Sequence, residues 1–67
     1  MDAEDELLTT KQVHERYGLF EATLRYYRHK GIGPASFRLG RRVCYRRSAV
    51  EEWISAQEAA STRGGVA

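Results

Sequence analysis

Residues 21–46 read EATLRYYRHKGIGPASFRLGRRVCYR and contain two different hydrophobic periods, one after the other. In the first part, Leu24 and Tyr27 are three residues apart, which places both on one face of a helix. We expect this helix over residues 21–30, because Gly31 then stands where a glycine commonly ends a helix. The opposite face of the helix is basic, and a short connector rich in glycine and proline follows it.

The second part, residues 36–46, alternates between apolar and polar side chains on both sides of a glycine-containing turn. Phe37 and Leu39 share one face of the first strand, and Val43 and Tyr45 share one face of the second. A period of two around such a turn predicts a β-hairpin with these four residues on its buried face. The other face is then expected to carry Arg38, Cys44 and Arg46, and the tip to carry Arg41 and Arg42.

Another helix is predicted before this stretch. Thr9 and Gln12 have the spacing of a capping box, in which each side chain bonds the backbone N–H of the other residue. The helix should cover residues 10–17, because Gly18 follows at the position of a left-handed terminating residue. Only residues 18–20 then separate it from the next helix. Two helices joined by so short a turn, the second basic on its outer face, form a helix-turn-helix pattern.

A third helix is predicted after the hairpin. Ser48 and Glu51 have the spacing of a second capping box, and apolar residues recur at helical spacing behind them. The helix should cover residues 49–60 and close the core with Trp53 and Ile54. The expected segments are a flexible acidic N-terminus over residues 1–6, one domain over residues 7–60 and a flexible tail over residues 61–67.

Charge is strongly clustered along the chain. Residues 25–47 carry eight Arg and Lys and no acidic residue, whereas residues 1–10 carry four acidic residues and no basic one. The net charge of +2 is too small to indicate a partner, but the cluster favours a polyanion, because releasing counterions from phosphates rewards local charge. A merely solvated basic face is the alternative. We discount it because the charges fall on two elements that would present them together.

Size and composition exclude several classes of protein. A chain of 67 residues makes one domain with a marginal core, without room for a catalytic cavity, and no nucleophile has a positioned base, so we expect no enzyme. No apolar run is long enough to span a membrane, and the acidic start is unlike a signal peptide. One cysteine suits a reducing, cytoplasmic compartment. His14, His29 and Cys44 lack zinc-ligand spacing, so neither metal nor cofactor is expected. The periodic spacing of the aromatic residues favours core packing over a base-stacking platform.

Residues 7–56 resemble the MerR-like winged helix-turn-helix superfamily. The run TLRYY at residues 23–27 is similar to the recognition helix of MerR regulators. The run RLGRR at residues 38–42, with the helix that starts at Ser48, is more like the wing and last helix of the short excisionase and AlpA-type members. The fold class that this resemblance implies is α+β, mostly α: a helix-turn-helix, a two-stranded β-hairpin wing and a C-terminal helix.

The resemblance also implies a function. The chain after Trp53 is too short for the dimerising helix and effector domain of MerR regulators, so we expect a stand-alone DNA-binding protein without a small-molecule effector. This pattern resembles phage excisionases, or recombination directionality factors. These proteins bind adjacent sites beside an attachment site, associate along double-stranded DNA, bend it, and direct a tyrosine integrase toward prophage excision in the bacterial cytoplasm.

Two other functions remain open. A small AlpA-like transcriptional regulator would use the same basic surface at a promoter. A protein-interaction adaptor such as an anti-repressor would instead use the acidic N-terminal segment and an acidic surface on the last helix, formed by Glu51, Glu52 and Glu58.

Candidate DNA contacts fall on three elements. In the family, positions matching Arg25 and Tyr26 contact phosphates, and the first residues of a recognition helix read base edges. Arginines at a hairpin tip suit the minor groove, although charged tips also serve solubility. The candidates are Glu21, Ala22, Thr23, Arg25, Tyr26, Arg28 and His29 on the recognition helix; Arg38, Arg41, Arg42, Arg46 and Arg47 on the wing; and Thr10 and Lys11 on the first helix.

One position departs from the family pattern at the site itself. The family usually has Ser where this chain has Phe20, and Phe cannot accept the capping hydrogen bond of a helix N-terminus. We expect Phe20 either to pack on the domain or to contact the DNA backbone. His14 is a second departure, at a position where the family usually has a small residue.

Overall fold

The computed structural model describes residues 5–65, which form three helices and a three-stranded antiparallel sheet. This α+β architecture is that of a winged helix-turn-helix domain, as the sequence predicts. No helix in this range is long and apolar enough to cross a membrane. The elements in chain order are β1 (Leu7–Thr9), α1 (Thr10–Tyr17), α2 (Glu21–Lys30), β2 (Phe37–Leu39), β3 (Arg42–Arg46) and α3 (Arg47–Ser61).

The sheet has a strand, β1, that the sequence pattern does not predict. β1 pairs antiparallel with β3, with Leu8 opposite Tyr45, and the strand order is β1-β3-β2. The predicted two-stranded hairpin is therefore part of a three-stranded sheet with β3 at its centre. Three residues are too few to display an alternating pattern, so the sequence holds little signal for β1. As a result, the hairpin is hydrogen-bonded to the residues that lead directly into α1.

The core consists of one fully buried side chain from each of five elements. Tyr17, Leu19, Val43 and Ile54 pack against it from the side. Burying one large apolar side chain contributes about 1.5–3 kcal/mol, so a core of this size supports one small domain. The five are Leu8 from β1, Val13 from α1, Leu24 from α2, Tyr45 from β3 and Val50 from α3.

α1 begins and ends as the sequence predicts. The hydroxyl of Thr9 accepts a hydrogen bond from the Gln12 N–H at 3.1 Å, and the Gln12 side-chain oxygen accepts one from the Thr9 N–H at 2.9 Å. Gly18 ends the helix with a φ of 75°, and its N–H donates to the His14 carbonyl. The capping box and the short turn into α2 are both confirmed.

The predicted faces of the hairpin are wrong for β2. Phe37 pairs with Cys44 and Leu39 pairs with Arg42, so both apolar residues of β2 share a face with Cys44. Arg38, which pairs with Val43, lies on the face of Tyr45 instead. A shift of one residue moves every side chain of a strand to the other face. Phe37 and Leu39 are therefore exposed, whereas Cys44, predicted to point outward, is buried beside its cross-strand neighbours.

The connector between α2 and β2 packs closely on α2. Gly33 has a φ of 84°, and a Cβ atom built on it would lie 2.7 Å from the Cβ of Tyr27. Only glycine fits such an approach without displacing its neighbour. The ring of Tyr27 also packs on that of Trp53, with centroids 5.6 Å apart. Trp53 is half-buried, and its ring covers part of α2. The fully buried core residue of α3 is Val50 and not Trp53, which the sequence predicts for the core.

The N-terminus of α3 is not capped as predicted. α3 begins at Arg47, and the carboxylate of Asp5 accepts hydrogen bonds from the Ser48 N–H at 2.9 Å and from the Ser48 hydroxyl at 2.6 Å. Ser48 therefore donates its hydrogen bonds to a capping residue, Asp5, that is distant along the chain. Glu51, the expected partner of Ser48, instead accepts a hydrogen bond from the Tyr17 hydroxyl at 2.8 Å. Burial, together with this bond, raises the pKa of Tyr17.

Asp5 and Glu6 were assigned to a flexible segment, but the structure gives both residues hydrogen-bond partners. The Glu6 carbonyl accepts from the Arg47 N–H at 2.9 Å, and its carboxylate pairs with Arg16, with the closest nitrogen and oxygen 2.6 Å apart. Residues 1–4 and 66–67 of the two predicted flexible segments lie outside the described residues. At the other end, α3 includes Ser61, and residues 62–65 have no regular structure.

Candidate nucleic-acid interface

The outer face of α2 is set by Leu24, which is fully buried and fixes the rotation of the helix. The side chains of Arg25, Tyr26 and His29 are exposed on it, as the sequence predicts, while Thr23 is half-buried. Tyr26 is 54% exposed, a large fraction for an aromatic ring. Glu21 and Ala22, in the first turn of α2, are exposed as well.

Lys30 belongs to the same surface but was not among the predicted contacts. Its side chain is exposed in the last turn of α2, and its ammonium nitrogen lies 5.8 Å from the centroid of the Tyr26 ring. The two residues are four positions apart, which is the helical spacing that brings side chains together. That spacing is the sequence signal that places Lys30 beside Tyr26 on the outer face of α2.

Arg28 was expected on the outer face, but the structure places it half-buried between elements. Its guanidinium donates a hydrogen bond to the Tyr45 hydroxyl at 2.6 Å and a longer one, of 3.4 Å, to the Thr10 hydroxyl. Tyr45 is fully buried, and a buried hydroxyl needs such a partner. Arg28 and Thr10 thus take part in a hydrogen-bond network that joins α2 to β3 and to the start of α1. Of the two DNA contacts predicted on α1, Lys11 is the exposed one.

The tip of the hairpin is a two-residue turn made by Gly40 and Arg41. Gly40 has a φ of 66°, in the left-handed region that such tight hairpin turns require. Arg38, Arg41 and Arg42 are all exposed around this tip. Among residues 5–65, no side chain forms a hydrogen bond or an ion pair with any of these three arginines. Their guanidinium groups therefore have all their donors available for a polyanion.

Arg46 and Arg47, the last two DNA contacts predicted on the wing, are half-buried and lie away from the hairpin tip. Arg46 is half-buried, donates a hydrogen bond to the Asp5 carbonyl at 3.1 Å, and lies 5.8 Å from the centroid of the Phe37 ring. Arg47 is not part of the wing, because it is the first residue of α3 and is half-buried there. Both residues contact the N-terminal segment, which the sequence analysis treated as separate from the basic cluster.

The acidic residues of that segment neutralise one end of the basic cluster. Hydrogen bonds from Ser48, helped by the nearby charges of Arg46 and Arg47, lower the pKa of Asp5. A hydrogen bond from Arg16, helped by its positive charge, lowers the pKa of Glu6. Positive charge without a salt-bridge partner therefore remains on α2 and around the hairpin tip. These are two of the three elements on which the sequence predicts DNA contacts.

Within residues 5–65, no cluster of three or more His, Cys, Asp or Glu side chains has the geometry to hold a metal ion.

The basic surface consists of charged and aromatic side chains on α2 and of arginines around the hairpin tip. Such a combination fits the phosphates and base edges of a nucleic-acid duplex.

Comparison with known proteins gives one match. A family model described as a helix-turn-helix domain matches residues 7–58, a range that runs from β1 into α3. No curated protein and no solved structure matches the chain significantly. The match covers most of the chain and includes α2 and the hairpin. The chain therefore belongs to this family of helix-turn-helix domains, which includes AlpA-like and excisionase-like small DNA-binding proteins, and it is a DNA-binding protein.

Proposed function

We propose that this protein is a phage excisionase, an architectural protein that binds beside attachment sites, bends the DNA and directs a tyrosine integrase toward excision. The observation that carries the proposal is the presence of exposed cations on two neighbouring elements, α2 and the hairpin tip. A hydrogen bond of 2.6 Å from Arg28 to Tyr45 joins α2 to β3, the second strand of the hairpin. A helix suits the major groove, and an arginine-bearing tip suits the minor groove.

Bending follows from engaging both grooves. A narrow minor groove concentrates negative potential and attracts guanidinium groups, and proteins that widen or bend DNA there recover the cost through additional contacts. Arg41 and Arg42 extend at the tip of a short, tight hairpin, where two guanidinium groups can enter such a groove. The protein acts on the shape of DNA and does no covalent chemistry itself.

The partners of the proposed function are double-stranded DNA, further copies of the protein along it, and the integrase. We assign the integrase contact to α3 and the residues after it, because this part of the chain carries Glu52 and Glu58 and lies outside the basic elements. The place of action is DNA in the cytoplasm of the bacterial host.

The test is a footprint on sites selected from random duplex DNA, followed by an excision assay with a tyrosine integrase. We expect protection of tandem direct repeats spaced by roughly one helical turn, about 10.5 base pairs, and bending of that DNA. The Arg41→Ala, Arg42→Ala double variant should lose both bending and excision. Arg63→Ala, which removes an exposed charge beyond α3, is the matched control for DNA bending and should retain it.

An AlpA-like transcriptional regulator is the alternative, since it would use the same surface. Protection of an inverted repeat at a promoter, without an effect on excision, would favour that function. Failure to bind any duplex at low salt would contradict both and would favour a protein-interaction adaptor that uses its acidic surface.

A further inference from the structure

Phe20 is the most exposed of the large apolar side chains in the described part of the chain, with 68% of its surface accessible. It is the N-cap residue of α2, with extended backbone angles, and its side chain makes no capping hydrogen bond. Its carbonyl alone serves the helix, by accepting the Leu24 N–H at 2.9 Å. The ring therefore supplies no cap to the helix, whereas a small polar residue at this position would do so.

The ring is nevertheless held in a defined place. Its centroid lies 5.6 Å from that of His14, at an angle of 31° between the rings. The Nδ1 atom of His14 is in turn 3.1 Å from the carbonyl oxygen of Leu19, the residue before Phe20. An apolar group fixed in this way loses less conformational entropy on binding than a mobile one. The two departures from the family pattern, at positions 14 and 20, are thus in contact with each other.

Next to the ring, the first residues of α2 are exposed. In a helix-turn-helix protein, the N-terminal residues of the second helix contact base edges in the major groove. Phe has no hydrogen-bond donor or acceptor, so it cannot read the nitrogen and oxygen atoms of those edges. The apolar group that distinguishes one base there is the 5-methyl group of thymine. A phosphate offers no favourable partner to an apolar ring, since the contact would only displace its water.

We propose that Phe20 determines part of the DNA specificity of this protein by an apolar contact with the 5-methyl group of a thymine in the major groove. The proposal rests on the DNA binding described above and deepens it, because it names a base and the side chain that reads it. It does not depend on whether the protein acts in excision or in transcription.

The experiment uses the full chain and the duplex site selected from random DNA. Each thymine of the site is replaced in turn by deoxyuridine, which removes the 5-methyl group and keeps the base pair. Replacement at one position, or at two adjacent ones, should weaken binding roughly fourfold, the equivalent of burying one methyl group. The same replacement should have no effect on the Phe20→Ala variant, so the two changes form a double-mutant cycle.

Ile32→Ala is the matched control variant. Ile32 is also a large exposed apolar residue, at 54%, but it lies beyond the other end of α2. This variant should keep the full sensitivity to deoxyuridine. The fold of each variant is checked by circular dichroism, and the deoxyuridine series on the unmodified protein needs no variant at all.

The outcomes separate the proposal from the DNA binding on which it rests. If the unmodified protein binds its site and no deoxyuridine weakens it, the contact with thymine is overturned while the DNA-binding function stands. If Phe20→Ala is as sensitive as the unmodified protein, the methyl group is read by another residue, with Ala22 the neighbouring candidate, and the assignment to Phe20 is overturned. If no duplex is bound at all, both proposals fail.

Discussion

At the scale of single residues, the arginines of residues 25–46 divide into two groups. Arg28 and Arg46 donate hydrogen bonds inside the domain, whereas Arg25 and the three arginines around the hairpin tip are exposed. The sequence predicts that all of these arginines lie near one another on one basic surface. It does not predict this division, because the partners of Arg28 and Arg46 are 17 and 41 residues away along the chain.

We expect Arg28→Ala to destabilise the domain by about 1–3 kcal/mol, the cost of leaving a buried polar group without its hydrogen bond. The group in question is the Tyr45 hydroxyl. Urea denaturation measures the change, and Arg25→Ala, at an exposed position of the same helix, should change stability little. In a Tyr45→Phe background the additional loss from Arg28→Ala should become small. An equal loss in both backgrounds would show that Arg28 stabilises the domain by another route.

Phe20→Ser should increase stability, since Ser can accept the capping hydrogen bond that Phe cannot. The expected gain is at most about 1 kcal/mol, measured by thermal or urea denaturation. Ile32→Ser serves as the control, because it makes the same change of side chain away from a helix N-terminus. A loss of stability in Phe20→Ser would mean that the contact with His14 contributes more to the fold than the cap would.

At the scale of the elements, the sequence predicts the helices better than the sheet. Capping residues and glycines mark both ends of α1 and the end of α2, and these local signals determine the observed boundaries. The register of the hairpin depends on the length of its turn, and with a two-residue turn at Gly40 and Arg41 the apolar side chains of β2 do not share the sheet face of Tyr45. The cap of α3 comes from Asp5, 43 residues before Ser48, and no local pattern carries that information.

The contact between Asp5 and Ser48 makes the start of α3 sensitive to acid. The folded protein holds the pKa of Asp5, and also that of Glu6, below the unfolded values, so folding favours the ionised carboxylates. Their contribution is complete above the ordinary carboxyl range, about pH 5, and is lost as the pH falls through that range toward the folded values. Asp5→Asn should therefore lower the melting temperature at pH 7 and reduce its dependence on pH between 5 and 3.

Glu58→Gln is the control for that measurement. Glu58 is also exposed and lies in α3, but none of the side chains in residues 5–65 pairs with its carboxylate. Its replacement should leave the pH profile of the melting temperature as it is. If Asp5→Asn and Glu58→Gln have the same profile, the cap from Asp5 adds nothing to stability.

At the scale of the whole molecule, the charge that can reach DNA is smaller than the sequence suggests. Six exposed cations remain on α1, α2 and around the hairpin tip when the internally bonded arginines and those next to the N-terminal segment are set aside. They are Lys11, Arg25, Lys30, Arg38, Arg41 and Arg42. The sequence predicts where this surface lies, on α2 and the hairpin. Which cations form it depends on tertiary contacts that no local sequence pattern indicates.

The salt dependence of binding to the selected duplex measures how many of these cations meet phosphates. If each of the six neutralises one phosphate, the logarithm of the association constant should fall with the logarithm of salt concentration with a slope of about −5. Arg41→Ala, Arg42→Ala should reduce that slope by about 2, and Arg63→Ala should not change it. An unchanged slope in the double variant would place the hairpin tip away from the DNA backbone.

The burial of Cys44 has a practical consequence for following how the hairpin moves. Cys44 is 5% exposed and lies in the central strand between Thr9 of β1 and Phe37 of β2. A thiol reagent can alkylate it only when the sheet opens around it, so the labelling rate reports local opening of the sheet that includes the hairpin. Saturating duplex should slow the labelling if DNA holds the hairpin closed. The labelling rate of Cys44 thus measures opening next to the hairpin, the element that we assign to the minor groove.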